Sequence, residues 1–304
     1  MQTALTQIMK RFIGVGPGGV KLLDTGAAGN ATLEKKLRAS SRAAAARCGV
    51  AVLALAVVGQ AFGAVNLTPA ETRRIGNRIW QNECGGTVAG LTSWNAGENF
   101  ASLGIGHFIW YPKGVRGPFD ESFPKFAEFA SGRGVKLPAV AAGNDGCPWK
   151  TRAEFSAAAE SEPMKELRAF LSRTIDLQAE FLVHRLREAL PKMLAEGGSA
   201  NQARVRQQFD RVASTAMGCY ALVDYVNFKG EGVLATERYA GQGWGLLQVL
   251  EGMTQENNGR EAVRSFAESA RNVLKNRVRN SPPARNEARW LPGWLKRVDT
   301  YVGS

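Results

Sequence analysis

Glu83 stands two positions before Gly85-Gly86, and the chain then runs through Asn95, Glu98 and Ser102 to the tetrapeptide Gly104-Ile105-Gly106-His107. Two carboxyl groups, a hydroxyl and amides within one short stretch can divide the work of acid–base chemistry. One carboxyl donates a proton, while the other stabilises developing positive charge or, with the hydroxyl, orients a water. The stretch is therefore a candidate active site, with Glu83 at its helix end as the candidate acid.

The element that must carry Glu83 is a helix. Thr68 is a good N-cap, Pro69 suits the first helical position, and Glu71 completes a capping box. Ile75, Ile79 and Glu83 recur at four-residue spacing and share one face, and Gly85-Gly86 ends the helix. A carboxyl on the apolar face of a last helical turn is expected to have a raised pKa. Burial and the negative end of the helix dipole both disfavour its charge, which suits a general acid. The alternative is a surface Glu on a frayed helix end.

A hairpin is expected next: a strand over Leu91–Trp94, a turn at Asn95–Glu98 and a returning strand over Asn99–Ile109. Gly104 and Gly106 remove side chains from one face and admit a close neighbour there. The segment FDESFPKFAEFA reads as a short helix whose phenylalanines face the core. After a loop over 138–150 the periodicity is helical, with helices expected near 151–160, 163–190, 201–227, 243–254, 260–278 and 290–301. His184, alone on one of these, reads as structural.

Two later stretches carry more polar and aromatic groups than connectors need. They are LVDYVNFKGEG, with Asp224, Asn227 and Lys229, and YAGQGWGLLQVLEGM, with Trp244 and Gln248. Trp244 could stack on a sugar ring, and Asn227 and Gln248 could bond its hydroxyls or amides. Tight turns around a core Trp would use the same residues. Trp290 and Trp294 fit a C-terminal helix packed back onto the domain.

The 304 residues are 44% hydrophobic, enough for a full core, and carry a formal charge of +12. Residues 1–47 hold eight Lys or Arg against Asp24 and Glu34, a surplus of six, and are followed by the uncharged run CGVAVLALAVVGQAFGA at 48–64. A basic leader, an apolar run and small residues at Ala61 and Gly63 describe a signal peptide, with an uncleaved N-terminal membrane tether through 48–64 as the alternative. The body is then expected to be periplasmic or secreted. Half the charge surplus belongs to this leader, so a nucleic-acid partner is disfavoured. The glycines at 14, 16 and 19 spell a formal G-x-G-x-x-G, but Pro17 interrupts it and no βαβ pattern surrounds it, so it is leader sequence. No cofactor loop or metal spacing is present. Of the cysteines beyond the leader, Cys147 and Cys219 are the pair chosen for a disulfide, and three separate buried thiols are the alternative.

The stretch from Glu83 to His107 resembles the active-site region of lysozyme-like glycoside hydrolases, particularly the phage-type lysozymes. In these a catalytic Glu ends a helix, a β-hairpin follows with an acidic and a hydroxyl residue, and a GIGH element closes it. The resemblance covers about thirty residues. Ser102 stands where that family usually has Thr. The segment is a few residues longer, so Glu98 is the nearest acidic partner and Asn95 the alternative. Gly243–Gln248 is similar, more distantly, to a G-L-M-Q element of lytic transglycosylases. The resemblance implies an α+β, mostly helical, lysozyme-like fold over 65–304, with a small β-hairpin against a helical bundle. It also implies cleavage of β-1,4 bonds of peptidoglycan or a related amino-sugar glycan, with Glu83 as general acid, Glu98 stabilising the positive charge or, with Ser102, orienting water, and Asn95 and His107 as binding and bracing groups. A lytic transglycosylase and a non-catalytic wall-binding envelope protein are the alternatives.

Overall fold

The computed structural model describes residues 65–303 apart from 118, 144, 197, 198 and 255. The expected leader, tether and cleavage site over 1–64 lie outside the described residues. Helix α1 (Pro69–Cys84) forms as its sequence dictates. The Thr68 hydroxyl accepts from the Glu71 amide, and the Glu71 carboxylate accepts from the Thr68 amide at 2.9 Å. Ile75, Ile79 and Glu83 are buried along one face, and Gly85 closes the helix with φ 61°. That left-handed cap favours a residue without a Cβ.

The hairpin becomes a three-stranded antiparallel sheet in the order β1 (Thr92–Ser93), β2 (Ala101–Leu103), β3 (Phe108–Trp110). Ser102 is paired with Ser93 on one side and Ile109 on the other. The single returning strand expected over Asn99–Ile109 is therefore two strands, and Gly104–His107 is the tight turn between them. Its cause is a distant residue. Gln178 presses its side-chain oxygen into the space a Cβ at Gly104 would occupy and accepts from the Ile105 amide at 2.8 Å. Gly104 takes φ 67°, and His107 is a non-glycine residue at φ 48°.

The remaining helices are α2 (Phe123–Ser131), α3 (Arg152–Ala157), α4 (Glu162–Arg173), α5 (Ile175–Glu196), α6 (Ser199–Ala213), α7 (Ala216–Lys229), α8 (Leu246–Glu251), α9 (Gly259–Asn280) and α10 (Leu291–Asp299). A two-stranded ribbon, β4 (Arg238–Tyr239) and β5 (Gln242–Gly243), precedes α8. The helix expected over 163–190 breaks at Thr174, whose hydroxyl donates to the Phe170 carbonyl. The helix expected over 201–227 breaks where Thr215 caps α7 by accepting from the Gly218 amide. Local hydroxyl–backbone bonds offer the chain an alternative to continuing the helix.

Every residue from Gly218 to Val226 in α7 is buried. Such a helix is hydrophobic all round because it is packed all round, and α1, α5, α6, α8 and α9 pack against it. Helix α10 lies on α9. The described residues are thus α+β and mostly helical, and Phe108, Phe126 and Phe181 of the sheet, α2 and α5 stack in the core between them.

Cys84, Cys147 and Cys219 are free and buried, which replaces the expected Cys147–Cys219 disulfide with three separate thiols. Burial pushes the thiols of Cys84 and Cys147 up to about 12, so they carry no thiolate at neutral pH. Among the described residues no helix is long and apolar enough to cross a membrane.

Candidate functional site

Four separate segments deliver the groups around Glu83. Helix α1 brings the carboxylate to its last turn, where the residue is 6% exposed. The tight turn brings His107, whose Nδ1 is 3.5 Å from Glu83 Oε2. Helix α7 brings Asn227, whose amide nitrogen is 3.4 Å from Oε1. Helix α10 brings Arg297, whose Nη2 donates to Oε1 at 2.5 Å.

Arg297 is itself shared. Its Nε and Nη2 each donate to Asp224 at 2.8 Å, and the Tyr301 hydroxyl donates to the same carboxylate at 2.7 Å. Asp224 is fully buried in the middle of α7. An isolated charge there would cost several kcal/mol, so it is the paired guanidinium that lets the aspartate sit in the core.

This network overturns the expected charge state of Glu83. Burial does push its pKa up, but Arg297, then His107, act the other way and outweigh it, so the carboxyl is held below the usual range. The expectation counted burial and helix dipole; the opposing guanidinium arrives from a helix 214 residues downstream. Burial lowers the His107 pKa, with Glu83 pulling against it. His107 stands beside the carboxylate and braces it.

The hairpin turn holds a second cluster. The Asn95 amide donates to Glu98 Oε2 at 3.2 Å, the Ser102 hydroxyl also bonds this carboxyl, and the Trp94 indole donates to the Glu98 carbonyl at 2.9 Å. Burial raises the Glu98 pKa to about 7 against the opposing hydrogen bonds of Asn95 and Ser102. The sheet and its flanking helix thus carry one carboxyl that stays charged and one that holds a proton near neutrality.

That raised value has a consequence for stability. Glu98 binds its proton more tightly folded than unfolded, so its contribution is present below the unfolded carboxyl range and is lost as pH rises through about 7. Glu98→Gln is expected to flatten the decline of the urea midpoint between about pH 5 and 7. An unchanged slope in the variant would mean that the carboxyl does not titrate in this range.

Trp244 and Gln248 join neither cluster. The Trp244 ring is 7% exposed, 4.6 Å from the Tyr239 ring, with the Arg277 guanidinium 4.1 Å over it. Gln248 accepts from the Gly245 amide at 2.9 Å and donates to the Gly232 carbonyl at 3.0 Å. Both side chains are consumed in fixing the loop before α8, so neither offers a face for stacking or free amide groups. Of the later polar set, Asn227 alone reaches Glu83.

Sequence reasoning passed over Arg297 and Tyr301, and assigned Asp224 no partner. The available signal was the aspartate itself: a lone acidic residue inside the apolar run Cys219–Val226 demands a buried cation. Among the described residues no three His, Cys, Asp or Glu side chains gather as a metal site. Comparison with protein-family models, curated proteins and solved structures gives no match for the chain.

Proposed function

We propose that the protein is an exported glycosidase with a lysozyme-like fold, cutting β-1,4 bonds of peptidoglycan or a related amino-sugar glycan. The observation that supports this most is the convergence of a buried carboxylate at a helix end, Glu83, with the histidine of the Gly104–His107 turn. The charges around the two carboxyls support a particular division of labour. Glu98, with its proton held near neutrality, donates it to the glycosidic oxygen as the C–O bond breaks. Glu83, kept ionised by Arg297, stabilises the oxocarbenium-like centre that forms, and water completes the reaction. This assignment moves the acid role from Glu83, where the sequence put it, to Glu98. Asn95 and Ser102 orient the donor; His107, Asn227 and Arg297 orient the charged group. The basic body suits an anionic wall polymer.

The near-complete burial of Glu83, with every one of its hydrogen-bond partners internal, favours a second reading, a wall-binding protein without catalysis. Incubating the purified protein with isolated sacculi separates the two. Release of soluble fragments bearing new reducing ends is the expected result. Fragments ending in 1,6-anhydro sugars would replace hydrolysis by lytic transglycosylation, and binding without release would leave the non-catalytic reading.

A further inference from the structure

A recess of about 230 Å³ opens between the hairpin and helices α3 and α4, and its lining includes neither Glu83 nor Glu98. Ser93 and Trp94 form one wall, Phe155 and Ser156 of α3 another, and Met164 and Arg168 of α4 the third. Arg168 is the unusual member. Its Nε donates to the Thr92 hydroxyl at 3.2 Å and its Nη2 to the Ala159 carbonyl at 3.3 Å, both neutral acceptors. Among the described residues no carboxylate pairs with it, whereas the Arg277 guanidinium pairs with Glu287 and that of Arg297 with both Glu83 and Asp224. A second guanidinium, that of Arg152, is fixed to the Trp94 carbonyl at 2.9 Å, likewise without a carboxylate partner among the described residues.

Five N–H groups in a planar fork match a carboxylate, and Arg168 spends only two donors on its present partners. The exposed Ser156 hydroxyl adds a donor at the rim. Trp94 and Phe155, packed against each other at 5.8 Å and each 6% exposed, leave an apolar edge beside it for the rest of a small ligand. The volume is below the roughly 300–1,000 Å³ of pockets that take drug-sized molecules and suits an amino-acid-sized group. We propose that this recess binds a free carboxylate carried on an amino-acid-sized group, with Arg168 as its counter-charge. The ends of peptide stems in a wall polymer belong to that class, and this identification of the natural occupant rests on the proposed function; the site itself does not.

The test is a titration of the full chain with N-acetylalanine and, separately, with N-acetylalanine amide, read by the NMR signal of the Trp94 indole N–H. The acid is expected to give a saturable shift, with the amide binding at least about tenfold more weakly, as loss of a charge-assisted pair requires. Arg168→Gln is expected to weaken acid binding by about tenfold or more. Ser156→Glu, at an exposed position that leaves folding untouched, places a like charge at the rim and is expected to do the same. Equal shifts from acid and amide, or acid binding unchanged in Ser156→Glu, would overturn the proposal. Intact acetylalanine binding in a protein that releases no glycan fragments would sink the glycosidase reading and leave the carboxylate site standing.

Discussion

Replacing Arg297 by methionine is expected to destabilise the protein by about 3–5 kcal/mol at pH 7, the cost of breaking a buried ion-pair network from one side. For a body of this size that corresponds to a fall in Tm of roughly 10 °C or more. The substitution keeps most of the side-chain volume but leaves Asp224, fully buried, and Glu83, nearly so, facing each other's neighbourhood without their cation. The sign of the pH dependence makes the prediction specific. In the native protein the Glu83 pKa lies below its unfolded value, so its stabilisation is present above the ordinary carboxyl range and is lost as pH falls through the folded value. In the variant the lowering influence is gone and burial raises the pKa instead, so the stabilising form is the protonated one. The deficit is therefore expected to shrink as pH falls from 7 towards 4. Urea midpoints at several pH values measure this, and a deficit that stays constant or widens in acid would contradict the network as described.

Glu83→Gln is expected to behave in the opposite way: little loss of fold and a large loss of activity. The amide oxygen can still accept from Arg297, and Arg297 keeps its two bonds to Asp224, so no charge is left unpaired. Under the proposed function, removing the stabilising carboxylate is expected to cut fragment release from sacculi by about 100-fold or more, the scale of a single catalytic group. Circular dichroism and a melting curve establish that the variant is folded. Unchanged release from a folded Glu83→Gln protein would remove Glu83 from the mechanism.

The parts of the fold that were legible in the chain were those set by neighbours in sequence. Thr68, Pro69, Glu71 and Gly85 specify α1 through contacts within a few residues, and the four-residue spacing of Ile75, Ile79 and Glu83 put the carboxyl on the buried face. The parts that were not legible depend on partners far away. Nothing near Gly104 announces that Gln178 will press against it and fold one strand into two. Trp244 and Gln248 have the composition of a sugar site, but Arg277, Tyr239 and Gly232 occupy them first. The charge state of Glu83 was misread for the same reason, since Arg297 lies in an unremarkable amphipathic helix whose sequence gives no hint of its target. Residue types marked the Glu83 neighbourhood; their electrostatics required the tertiary structure.

The reach of Arg297 also constrains the order of assembly. The central helix α7 holds a carboxylate in its middle, and the cation that neutralises it belongs to α10, some seventy residues later in the chain. During synthesis, α1 through α9 can collapse around α7 only with the Asp224 carboxylate still in contact with water. The core becomes dry and fully packed when the last helix docks. Helix α10 therefore acts as a latch on completion: a chain interrupted before it would be a loosened, protease-sensitive intermediate rather than a smaller folded domain.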